Sequence, residues 1–260
     1  MRPASRPYGA PFDDEGPTTP DDARLRPRTI RVGRVEQVTI HHVDTGAVPD
    51  VPEGPAVVLL PGVVSTHRYF RENIGPLAAR HRVIAPDLPG FGRSEKPDAP
   101  YTPDWFAERL LDFLDAKGIA RAHLVGNSLG SWIAWLIAQE FPIVEELILV
   151  APAFNMMGER AKTISKERLH DWHTAGWMPW DEDPLHRDWP LSWKWVEESE
   201  RYWTKTFDVV RYVHTTILHG REDIVIPPGG SQSFADELRR RHPSFPLDLR
   251  LIPGDHRLSS

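Results

Sequence analysis

The apolar residues of this chain gather in short continuous runs, and most of the stretches between them repeat with a helical period. "PAVVLLPG" (55–62), "RVIAPDLPGFG" (82–92), "RAHLVGN" (121–127), "EELILVAPA" (145–153) and "HTTILHG" (214–220) are runs of this kind. A strand buried on both faces reads this way, whereas a strand with one wet face alternates. "LDLRLIPG" (247–254) is a weaker, alternating version, and "TIRVGRVEQVTIHHVDTG" (29–46), β-branched around Gly33-Arg34, predicts a hairpin at a sheet edge. Helical patterns cover 69–81, interrupted by Pro76, and 102–118, where Trp105, Leu110, Leu111, Phe113 and Leu114 share a face and Gly118 stops the helix. Residues 129–141 are apolar on nearly every side, as a helix packed on the middle of a sheet would be, and 229–242 is amphipathic. Strands alternating with helices predict an α/β fold, with a mostly parallel central sheet covered by helices on both faces.

Residues 154–210 break this rhythm. They hold no buried-strand pattern but seven of the ten tryptophans, so they predict a helical cap inserted at the sheet's carboxyl edge, where α/β folds bind ligands. The expected organisation is a solvated tail (1–27), a core built from 28–153 and 211–260, and the cap (154–210). The tail's prolines, glycines and charges bury little. It lacks an apolar signal core, and Asp13, Asp14, Glu15, Asp21 and Asp22 argue against a transit peptide, so a cytoplasmic protein is expected.

Composition narrows the function classes. A formal charge of −6 gives no electrostatic reason to expect nucleic acid or an anionic membrane as partner, and no apolar run approaches a membrane span. The absence of cysteine excludes disulfides, thiolate metal sites and a cysteine nucleophile.

Candidate chemistry centres on Gly126-Asn127-Ser128-Leu129-Gly130, placed between a predicted strand and a predicted helix. A serine held on such a turn needs small flanking residues, because strand and helix approach closely there. It also needs a base, an acid to orient the base, and donors for the oxyanion. Asp223 follows one strand-like run and His256 follows the last, each in the loop beyond; Glu222 stands beside Asp223 as the other candidate acid. The run at 145–153 ends in Ala151-Pro152-Ala153 and offers no carboxylate. Ser128, Asp223 and His256 thus occur in the chain order of one known serine triad.

On these residues the chain resembles the α/β-hydrolase superfamily over roughly 28–256. "PDLPGFGRSEKP" and "HGREDIVIPP" are close to loops of its single-domain hydrolases, and "AGW", "WPLSW", "VEESERYW" and "GDHRLS" resemble small bacterial ester and thioester hydrolases. The resemblance implies Ser128 as nucleophile, His256 as base and Asp223 as orienting acid, with the backbone N–H groups of Leu129 and Val63 as oxyanion donors. Each donor would contribute about 3 kcal/mol to lowering the barrier. Pro61-Gly62 stands where most relatives carry His-Gly, and the sequence ends four residues after His256, where relatives usually continue into a helix.

The expected activity is therefore hydrolysis of a carboxylic ester or thioester with an apolar or aromatic group. Trp177, Trp180 and Phe154 are candidates for lining the pocket, and no metal or organic cofactor is implied. C–C bond hydrolysis and acyl transfer use the same triad, and a hydrolase-like ligand receptor is the alternative from another class. The remaining motifs are weaker. "GFGRS" lacks the third glycine and following helix of a dinucleotide loop. His170 and His173 share a helical face without a third ligand. His41 and His42 point to opposite faces of a strand, and His67 either touches substrate or lies on the surface.

Overall fold

The computed structural model describes residues 27–33, 37–49, 54–63, 65–154, 207–224 and 226–256. All of the predicted tail but residue 27, and most of the predicted cap, with Trp177, Trp180, His170 and His173, lie outside the described residues.

Eight strands form one sheet in the order β1-β2-β4-β3-β5-β6-β7-β8. β1 (Arg28–Val32) and β2 (Val38–Asp44) are the expected antiparallel edge hairpin, and β2 also runs antiparallel to β4 (Val83–Pro86). From β4 onward all neighbours are parallel: β3 (Ala56–Leu60), β5 (Ala122–Asn127), β6 (Val144–Val150), β7 (His214–Gly220) and β8 (Leu247–Ile252). Their carboxyl ends therefore meet at one edge.

The continuous apolar runs are explained by β3, which is buried at every position. Val58 and Leu60 face the larger core cluster, where α2 (Pro103–Ala116), α3 (Leu129–Glu140) and α4 (Gly229–Arg241) pack, while Val57 and Leu59 face a smaller one under α1 (Arg71–Ala78). Alternate positions serve opposite faces, so both sets must be apolar. α3 buries all but its last residue, Glu140, which accounts for its lack of a polar side. Thr102 caps α2 by accepting from the backbone N–H of Trp105 at 3.3 Å, and Pro103 occupies the first turn, where no N–H is needed. β8, on the sheet's outer edge, is only half-buried, in keeping with its alternating sequence. No described helix is long and apolar enough to cross a membrane.

Candidate active site

Ser128 stands between β5 and α3 with φ 53° and ψ −117°, a backbone region that favours glycine. Its N–H donates to Val150 O at 2.9 Å, and its carbonyl accepts from Ser131 N–H at 3.1 Å. The turn requires the flanking glycines: a Cβ on Gly126 would lie 2.3 Å from the carbonyl oxygen of Gly130, and one on Gly130 would lie 2.2 Å from that of Leu60. Ser131 Oγ donates to Gly126 O at 2.6 Å and accepts from Val150 N–H at 3.1 Å, tying the first turn of α3 to both β5 and β6.

Leu129 is the first residue of α3, so its N–H belongs to the turn that has no intrahelical acceptor. The positive end of the helix dipole adds to any pull on an anion there. The Pro61–Val63 segment passes beside the serine, since a Cβ on Gly62 would lie 2.9 Å from Ser128 Cβ. Val63 follows it, half-buried against the main core.

The acid and base come from the two loops beyond β7 and β8. His256 Nδ1 lies 2.7 Å from Asp223 Oδ2. The other oxygen, Oδ1, accepts from Ile226 N–H at 2.8 Å. Burial pushes the Asp223 carboxyl up, but hydrogen bonds from His219 and His256 outweigh it and hold the group well below the usual carboxylate range. Glu222 is used differently: its Oε2 accepts from Gly254 N–H at 2.7 Å, tying the acid loop to the histidine loop. Gly220 permits that contact, because a Cβ there would lie 2.2 Å from Gly254 O. The structure thus joins Asp223, not Glu222, to His256. With Nδ1 engaged, Nε2 is the ring nitrogen left for a serine.

A second buried carboxylate, Asp87, lies just past β4. Asp87 Oδ1 accepts from the backbone N–H of His67 and lies against its Nδ1, both at 2.8 Å. Its Oδ2 lies 2.9 Å from His41 Nδ1 and accepts from Arg93 N–H at 3.2 Å. Burial raises this carboxyl, and the two histidines more than offset that, leaving it well below the usual range. Among the described residues, these three are the group whose donor atoms, within 4.8 Å of one another, are close enough for a metal ion. Two donors on each carboxylate oxygen also account for the arrangement as a hydrogen-bond hub. His67 is therefore turned onto Asp87 rather than outward as a surface residue, and it anchors the segment that follows Val63.

A family model described as alpha/beta hydrolase fold matches residues 55–179. Alpha/beta hydrolase domain-containing protein 10 from mouse aligns over 88% of this chain and 91% of its own, with a TM-score of 0.67 and 21% identity. The chain has the alpha/beta hydrolase fold. Two curated relatives are more similar in sequence over shorter stretches. A 2-hydroxy-6-oxo-6-phenylhexa-2,4-dienoate hydrolase of Burkholderia cepacia is 40% identical over 134 residues, 48% of this chain and 43% of that protein. A 2-hydroxymuconate semialdehyde hydrolase of Pseudomonas sp. (strain CF600) is 47% identical over 79 residues, 30% of this chain and 28% of that protein. The matched stretches span less than half the length of either relative.

Within this alpha/beta hydrolase fold, Ser128, Asp223 and His256 lie at the carboxyl ends of β5, β7 and β8. Phe154 is fully buried, with ring centroids 4.4 Å from Phe234, 6.1 Å from Trp135 and 6.4 Å from Trp132. Two groups escaped sequence reasoning: the Asp87 hub, and His219, which contacts Asp223. The signal for His219 was a histidine next to last in the strand that leads into the loop carrying the acid.

Proposed function

We propose that this alpha/beta-hydrolase-fold chain is a serine hydrolase that cleaves a carboxylic ester or thioester through an acyl-enzyme on Ser128. The observation that carries the reading is the 2.7 Å His256–Asp223 contact on loops at the same sheet edge as a serine held at φ 53°. His256 Nε2 takes the Ser128 proton as Oγ attacks the carbonyl, and Asp223 holds the imidazole in the required tautomer and stabilises its charged form. The N–H groups of Leu129 and Val63 receive the developing oxyanion, contributing about 3 kcal/mol each. The protonated histidine returns its proton to the leaving alcohol or thiol, and water then repeats the sequence on the acyl-enzyme. The tryptophans of 154–210 support an apolar or aromatic substrate.

A second reading has its own support. Both curated relatives above are named as hydrolases of 2-hydroxy-6-oxo-dienoate or semialdehyde compounds. Here the same residues would cleave a C–C bond beside a ketone, and the leaving group would be a stabilised carbanion that takes a proton. Intact-mass analysis after fluorophosphonate treatment tests what the two readings share. One adduct per chain on the wild type, absent from Ser128→Ala, is the expected result; no adduct on the folded wild type overturns both. Turnover of aryl and acyl esters against a 2-hydroxy-6-oxo-dienoate then separates them. Binding without repeated turnover of either would favour a receptor.

A further inference from the structure

We propose that His219 is a positioning residue for the acid of this site: it donates to the same Asp223 oxygen that receives His256, fixing that oxygen and drawing charge from it. The proposal rests on the serine-hydrolase reading above and adds a fourth side chain to it.

His219 is fully buried at the end of β7. Its Nε2 lies 3.1 Å from Asp223 Oδ2 and 2.9 Å from Ile226 O. Both partners are acceptors, so Nε2 carries the hydrogen and shares it between them. Nδ1 lies 2.7 Å from Ser231 Oγ. Ser231 is also fully buried, in the first turn of α4, where the positive end of the helix dipole opposes an imidazolium. The consistent arrangement is a neutral His219, with the Ser231 hydroxyl donating to Nδ1 and the hydrogen held on Nε2. A residue on a different element thereby sets the tautomer of the side chain that steadies the acid.

Asp223 is then gripped at both oxygens, Oδ1 by Ile226 N–H and Oδ2 by two imidazoles. Sharing Oδ2 weakens its hold on the proton of His256, an effect that the pH dependence of Ser128 labelling reads. Ionisable residues on the enclosing loops are Arg221, Glu222, Asp223, Asp255 and His256, and the first turn of α4 carries none. Glu222 spends its carboxylate on Gly254 N–H.

The test measures the rate of fluorophosphonate labelling of Ser128 from pH 5 to 9 in wild type, His219→Phe, His219→Gln and Ser231→Ala, with Ser128→Ala as blank. His219→Phe keeps a buried ring without the donor, and its labelling profile should shift toward higher pH by about half a unit, making it about three-fold slower on the acid limb. His219→Gln restores an N–H near the Nε2 position and should return the midpoint close to that of the wild type. Ser231→Ala releases the tautomer and should shift it in the Phe direction by less; it carries the test if His219→Phe does not fold. A wild type that labels, with midpoints unmoved in all variants, overturns the role of His219 alone. A folded wild type that does not label overturns the serine reading, and this proposal with it.

Discussion

At the scale of single residues, the feature that most separates this chain from an ordinary strand-helix junction is the backbone at Ser128. Its φ and ψ place a side-chain-bearing residue in territory that glycine occupies without penalty. Such conformations cost on the order of 1–3 kcal/mol and persist only where the surroundings impose them. Here the ties from Ser128 N–H to Val150 and from Ser131 to both β5 and β6 do so. The strain leads to a comparison of two inactive variants. Ser128→Gly should melt at or above Ser128→Ala, by up to about 1 kcal/mol, because glycine relieves the strain while its unfolded-state entropy returns part of the gain. Thermal or urea unfolding of the pair checks this, and a clearly less stable glycine variant would mean the turn is not strained. The serine was legible in the sequence because the geometry demands small neighbours at fixed offsets. The Asp87 hub was not, since hydrogen bonds to His41 and His67, 46 and 20 residues away, leave no spacing to read; His219, four residues before Asp223, showed only as a histidine in a strand.

At the scale of elements, the chain's alternation of apolar runs and helical periods was legible nearly throughout. Each described strand and helix lies within or overlaps the run that predicted it, because burial on two faces, on one face or at an edge imposes different patterns. What periodicity could not convey is how close the elements come. Gly130 brings α3 against the end of β3, with its Cα hydrogen facing the carbonyl oxygens of Leu60 and Pro61. A methyl group there would meet backbone on the far side, which cannot rotate away. Gly130→Ala should therefore cost at least about 2 kcal/mol and disturb the turn that presents Ser128. Gly75, inside α1, is the matched control, since a Cβ there meets nothing within 4 Å. Gly75→Ala should be neutral or stabilising by up to about 1 kcal/mol. Melting curves for both variants decide the point; equal changes in the two would show that the close approach does not govern Gly130.

At the scale of the whole molecule, the two ends of the parallel strands carry different electrostatic work. Asp87 and Asp223 organise the carboxyl edge. At the other end Asp44 receives Arg82 through Nε at 3.0 Å and Nη2 at 2.9 Å, with Lys117 Nζ at 2.6 Å. Burial raises the Asp44 carboxyl, but these cations overcome it and hold it well below the usual range. His42 completes this cluster, its Nδ1 on Ile40 O at 3.2 Å and its Nε2 facing Lys117 Nζ at 3.3 Å. Burial, followed by the Lys117 charge, lowers its pKa in spite of the Ile40 contact. The signs give stability two limbs. A histidine with a lowered folded pKa contributes fully above about pH 6.5, its unfolded value, and that contribution is lost as pH falls toward the folded one. The three carboxylates contribute above about pH 4, and their contribution is lost below it. The melting temperature should therefore decline gently from about pH 7 to 5 and steeply below 4. His42→Gln keeps an acceptor for Lys117 without a titrating ring, and should flatten the upper limb while leaving the lower one. Melting followed by circular dichroism at constant ionic strength reads both limbs, and an unchanged upper slope in the variant would assign that decline to other histidines.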